Sequence, residues 1–85
     1  MMTPEEVAEY NEEALIADGL DKAIIGVAER INLGPVAAYS VEKIYEILMT
    51  RDGMTYEEAI EFFEFNIKGS WMGEYTPVYN YTNED

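Results

Sequence analysis

"AIIGVAERINLGPVAAYS", residues 23–40, decides whether this chain is all-helical or mixed. β-branched residues crowd its first half, and "NLGP" at 32–35 brings turn formers into the middle. Together they predict a hairpin, with one strand over 23–31 and the other over 35–39. A helix over 21–31 is the alternative, because Ala23, Val27 and Ile31 also share a helical face. The turn chemistry favours the hairpin.

Helix signals flank this stretch on both sides. Upstream, Thr3 is placed to cap, Pro4 suits the first helical position and Glu6 closes a capping box. Val7, Tyr10, Ala14 and Leu15 recur at helical spacing, so a helix is expected to run to Asp18-Gly19, where glycine can take the left-handed cap. Downstream, Ser40 opens a second helix that ends at Gly53, with Val41, Ile44, Ile47 and Leu48 as its apolar stripe. Thr55 opens a third, with Glu58 reaching back and Gly69 as its stop. Its stripe is Ala59, Ile60, Phe63 and Ile67, flanked by Phe62. Finally, "EYTPVYNY" at 74–81 alternates: Tyr75, Pro77, Tyr79 and Tyr81 face one way, Thr76, Val78 and Asn80 the other. Pro77 cannot donate to a ladder, which makes this an edge strand or an extended arm. The expected fold is α+β in the order α-β-β-α-α-β, a small antiparallel sheet of two or three strands packed by two or three helices. It forms one domain over 1–85, with 82–85 frayed.

The composition is that of a globular protein, 48% hydrophobic and 13% aromatic over 85 residues. The chain has neither cysteine nor histidine, which removes disulfides, the usual zinc and iron–sulfur sites and histidine-dependent nucleophilic catalysis. No basic flank followed by an apolar run opens the sequence, and its longest apolar stretch, "AIIGVA" at 23–28, is too short to span a bilayer. A cytoplasmic location is expected. The net charge of −13 is uneven: residues 1–20 hold six acids and no base, 21–51 hold four of each, and 52–85 hold eight acids and one base. Such a surface repels nucleic acid and anionic membranes and attracts basic proteins.

Catalysis and metal binding find little footing. "RDGMTYEE" resembles part of a calcium loop, but with Gly53 as the central glycine the terminal bidentate acid falls on Ala59. Paired catalytic carboxylates need a covered cleft, and these glutamates sit at helix-surface spacing. The expectation is no enzyme, no cofactor and no metal. Direct nucleic-acid binding is unfavourable as well, because aromatic stacking there works beside a positive groove.

What stands out is "MTYEEAIEFFEFN", 54–66, with four glutamates and three phenylalanines in thirteen positions. Glu57, Glu61 and Glu64 lie along one side of the third helix, with Glu58 beside them. Glu5, Glu9 and Glu12 do the same on the first, with Glu6 and Glu13 adjacent. Charges recur every ~5 Å along each axis, against a phosphate every ~3.4 Å along one DNA strand. Glutamate also favours helices and their first turns, so a solvated face is the simpler explanation. Against it stands the scarcity of basic residues on these faces, since an ordinary surface mixes the signs. Phe65 falls off the main stripe, nearer the acids. Trp71, Tyr75, Tyr79 and Tyr81 are too many for so small a core and are candidate interface anchors.

The order "ADGLDKAIIGV", "YSVEKIYEILMTRDGMTYEEAIEFFEFN" and "GEYTPVY" resembles a family of small acidic proteins common in bacteriophage and prophage genomes. The likeness runs over roughly residues 17 to 79. It implies a mobile-element setting and assigns no functional residue. Phages use small acidic proteins against host nucleases and defence complexes, anti-CRISPR proteins among them. The sequence thus points to a non-enzymatic binding protein whose partner is a positively charged protein surface, with Glu57, Glu58, Glu61 and Glu64 foremost and Glu5, Glu9, Glu12 and Glu13 helping. The alternative is a structural or regulatory module that forms homo-oligomers through the aromatic C-terminal segment.

Overall fold

The hairpin forms. In the computed structural model, which describes residues 2–70 and 73–81, β1 (Ile24–Arg30) pairs antiparallel with β2 (Leu33–Ser40). A short 3-10 turn, Asp21–Ala23, leads into β1. The connection is tighter than "NLGP" implied. Arg30 pairs with Leu33, leaving Ile31 and Asn32 as the turn. Asn32 takes a φ of 65°, which asparagine tolerates better than most residues. Gly34 and Pro35 fall inside β2, where that strand carries one more residue than β1 between the pairs Ala28↔Val36 and Arg30↔Leu33. A bulge is where a strand accepts proline, whose nitrogen has no hydrogen for the ladder.

The first helix is shorter than its periodicity predicted. α1 spans Pro4–Tyr10, opened by the expected capping box of Thr3 and Glu6. It stops eight residues short of Asp18 because the following backbone finds partners elsewhere. Asn11 Nδ2 donates to the Pro35 carbonyl at 2.8 Å, and Asn11 Oδ1 accepts from the Glu13 amide at 3.1 Å. The Leu15 amide donates to the Tyr75 carbonyl at 3.1 Å, and the Ala17 amide to the Tyr39 hydroxyl at 2.8 Å. A short helix is marginal by itself, so these bonds outweigh propensity. Gly34 makes room for them: a Cβ there would stand 2.8 Å from Asn11 Nδ2.

α2 (Val41–Asp52) matches its signals. The Ser40 hydroxyl accepts from the Lys43 amide at 3.2 Å, and Gly53 closes the helix with a φ of 72°. Val41, Ile44 and Leu48 are buried as expected, joined by Tyr45. α3 (Tyr56–Phe62) opens with the predicted Thr55–Glu58 capping box. It does not continue as an α-helix to Gly69. Residues Phe63–Ile67 make a π turn, with the Lys68 amide donating to the Phe63 carbonyl at 2.7 Å. Gly69 serves by being small, since a Cβ would lie 3.3 Å from the Glu64 carbonyl oxygen.

β3 (Val78–Asn80) completes a sheet of order β1-β2-β3. It runs parallel to β2, pairing Ala38 with Val78 and Ser40 with Asn80. The sheet is therefore mixed, not wholly antiparallel. The cause is the connection: α2 and α3 form the long helical crossover that parallel neighbours require. β3 is an edge, as Pro77 implied. The α+β class and the element order are as expected.

One core joins these layers. Val7 from α1, Ile24, Ala37 and Tyr39 from the sheet, Ile44 and Leu48 from α2, and Phe63 pack together. Phe63 is the hub. Its ring meets Tyr79, Tyr45 and Tyr81 edge-on at centroid distances of 5.3, 5.8 and 6.3 Å, the arrangement aromatic quadrupoles favour.

Candidate functional site

The acidic side chains on α3 owe their places to its N-terminal chemistry. The Thr55 hydroxyl accepts from the Glu58 amide at 3.1 Å, and Glu58 Oε1 accepts from the Thr55 amide at 2.9 Å. That box starts the helix at Tyr56 and turns Ala59 and Phe63 into the core. The opposite face then carries Glu57, Glu58 and Glu61, all exposed. Glu64 is exposed too but stands in the π turn, where the change in backbone winding takes it out of strict α-helical register with Glu57 and Glu61.

The three α3 acids and Glu64 differ in their engagements. Glu58 is held by its cap. Glu64 pairs with Lys68 at 3.5 Å, and the Tyr81 hydroxyl reaches it at 3.5 Å. Lys68 Nζ donates to the Tyr81 hydroxyl at 3.1 Å and lies 5.4 Å from the centre of its ring. The Tyr81 hydroxyl, and next the Glu64 carboxylate, hold the Lys68 ammonium above its usual pKa. Arg51 is occupied by Asp52 at 2.8 Å and by the Gly19 carbonyl at 2.7 Å. Among the described residues no ion pair forms to Glu57 or Glu61.

The α1 acids are arranged differently from the expected stripe. Glu5 and Glu9 are exposed on the helix, but Glu12 and Glu13 lie in the turn beyond it, because α1 ends at Tyr10. Their spacing is set by the turn that Asn11 anchors, not by helical rise. α1 packs on β1 and β2, whereas α3 packs on α2. The two acidic faces thus rest on separate supports.

Among the described residues, the candidate interface tyrosines are engaged within the chain. Tyr75 and Tyr79 are half-buried, and the Tyr79 ring meets Phe63 edge-on and Tyr39 at a tilt. Tyr81 is more open, 57% exposed, yet its ring also meets Phe63. Trp71 and the tail at 82–85 lie outside the described residues.

Beside the acids the structure places a shallow, open groove of about 430 Å³, lined by the apolar Met54, Phe62 and Phe65 and the polar Glu58, Glu61 and Asn66. Phe65 is 77% exposed and Phe62 37%. The off-stripe phase of Phe65 signalled this exposure in advance. Phe62 was missed as a surface residue, and half-buried Met54, packed against the core, as its neighbour in the groove. Met54 precedes the cap, the position from which an apolar side chain packs back on the first turns.

Among the described residues no set of three acidic side chains is gathered to hold a metal ion, and no helix is long and apolar enough to cross a membrane. No protein-family model, curated protein or solved structure matches this chain.

Proposed function

We propose that this chain is a non-enzymatic acidic binding protein that occupies the basic groove of a bacterial nuclease or defence complex, its glutamates standing where nucleic-acid phosphates would bind. The observation that carries this reading is the solvent face of α3. Glu57 and Glu61 stand exposed there, about 6 Å apart along the axis, with no basic partner among the described residues. Like charges held on one face repel, and a cationic partner relieves that repulsion. Glu58 shares the face, Glu64 adds charge from the adjoining π turn although it is paired with Lys68, and Glu5, Glu9, Glu12 and Glu13 add to the field from the α1 side. The likeness to small acidic phage and prophage proteins supports the setting, the cytoplasm of a bacterial host. The alternative, self-association through the aromatic C-terminal segment, has less support, since Tyr79 and Tyr81 already pack on Phe63.

Affinity capture from bacterial lysate tests the reading. The expected catch is nucleic-acid-binding proteins that elute with salt, because exposed charges are screened beyond ~10 Å at 0.1 M. A triple variant, Glu57→Lys, Glu61→Lys and Glu64→Lys, loses them while keeping its fold. An unchanged catch from the triple variant refutes the proposal.

A further inference from the structure

Residues 54–66 carry a second feature besides their glutamates, the Phe65 groove. Net charge alone explains exposed glutamates; it does not explain two phenyl rings placed among them. Phe65 is 77% exposed on a helix whose neighbouring ring, Phe63, is wholly buried. The π turn spanning Phe63–Ile67 holds Phe65, while Phe63 and Ile67 face the core. Such turns recur at functional positions in helices. Phe65 does not stand alone, as scattered surface apolar residues usually do. Phe62 and Met54 line the same shallow groove, together with Glu58, Glu61 and Asn66. Methionine adapts its shape to varied apolar partners.

We infer that this groove receives a lysine- and arginine-rich amphipathic α-helix, whose apolar side chain seats against Phe65, Phe62 and Met54 while its cations meet Glu58 and Glu61. This rests on the acidic-binding reading above and narrows it: the basic wall of the partner's groove that meets α3 is a helix with an apolar edge. Charge decides among occupants. A second copy of this chain would bring another net charge of −13 to the same carboxylates, and like-charge juxtaposition opposes that pairing. Nucleic acid and anionic lipid are repelled for the same reason. A helix with apolar positions three and four residues apart fits a groove of this type, and its flanking cations complement the carboxylates.

Fluorescence anisotropy with three labelled probes tests this: an amphipathic lysine/leucine peptide, the same composition scrambled, and oligolysine. The intact protein binds the amphipathic peptide roughly tenfold or more tightly than either control, as one buried anchor residue provides. Phe65→Ser, at a side chain outside the core, removes that advantage and leaves oligolysine binding unchanged. Glu61→Lys weakens all three. If Phe65→Ser binds the amphipathic peptide as the parent does, or the scrambled peptide binds equally well, the groove inference is overturned while the acidic-binding reading stands. If no cationic probe binds at low salt, both fall. If sedimentation shows a dimer that Phe65→Ser dissociates, the occupant is a second copy and the inference is overturned.

Discussion

Replacing Tyr39 with phenylalanine tests why the chain abandons its first helix at Tyr10. The Tyr39 side chain is wholly buried, and its hydroxyl accepts the Ala17 amide at 2.8 Å. Tyr39→Phe keeps the ring and deletes the acceptor, leaving a half-buried amide without a partner. That costs about 1–3 kcal/mol. A domain of this length holds roughly 4–13 kcal/mol in total, so the loss is a sizeable fraction. At about 4–8 °C per kcal/mol, the thermal midpoint falls measurably. The same residue adds a pH signature. Burial, foremost, pushes the Tyr39 phenol up to about 12; Tyr79, Asp21 and Asp18 push the same way, and the Ala17 hydrogen bond opposes them. The folded state therefore holds this proton more tightly than the unfolded state, whose phenol titrates near ~10. Its contribution to stability is complete below pH ~10 and is lost as pH rises towards about 12, at about 1.4 kcal/mol per pH unit. Urea denaturation followed by circular dichroism, at neutral pH and through this alkaline window, measures both effects. Tyr39→Phe is less stable at neutral pH and declines less steeply above pH ~10. Burial also raises the Tyr79 phenol, so some alkaline decline persists. A variant as stable as the parent, with the same alkaline slope, refutes the account of residues 11–17.

Two further substitutions probe the packing. Phe63→Ala empties the aromatic hub and costs about 3–5 kcal/mol, with loss of the near-ultraviolet aromatic signal; a cost below about 1 kcal/mol contradicts the assigned core. Gly34→Ala sets a methyl against Asn11 Nδ2 and destabilises by breaking the bond to the Pro35 carbonyl. In an Asn11→Ala background the same change costs little, so a double-mutant cycle on urea midpoints is strongly non-additive; additive costs refute the contact.

Local chemistry was legible in advance and distant chemistry was not. Thr3, Ser40 and Thr55 announce their helices because a cap needs only the next three residues. Gly53 announces an end because a left-handed residue is a local demand. The end of α1 was hidden because Asn11 bonds to Pro35, 24 positions away. Ile31 and Asn32 took the hairpin turn from the more obvious "NLGP" because β2 absorbs Gly34 and Pro35 in a bulge. The direction of β3 depends on where the α2–α3 crossover delivers the chain, which periodicity does not encode. At the site, the charge of α3 follows from composition, and the exposure of Phe65 from its phase. The groove needed the fold, because Met54 and Phe62 are individually indistinguishable from core residues.

The most direct test is competition. A captured nuclease or defence protein is bound to the immobilised chain, and duplex DNA is titrated in at fixed low salt. The account predicts that DNA displaces the protein and that Glu57→Gln with Glu61→Gln lowers the DNA concentration required. Simultaneous, non-competing occupancy by DNA and this chain would contradict it.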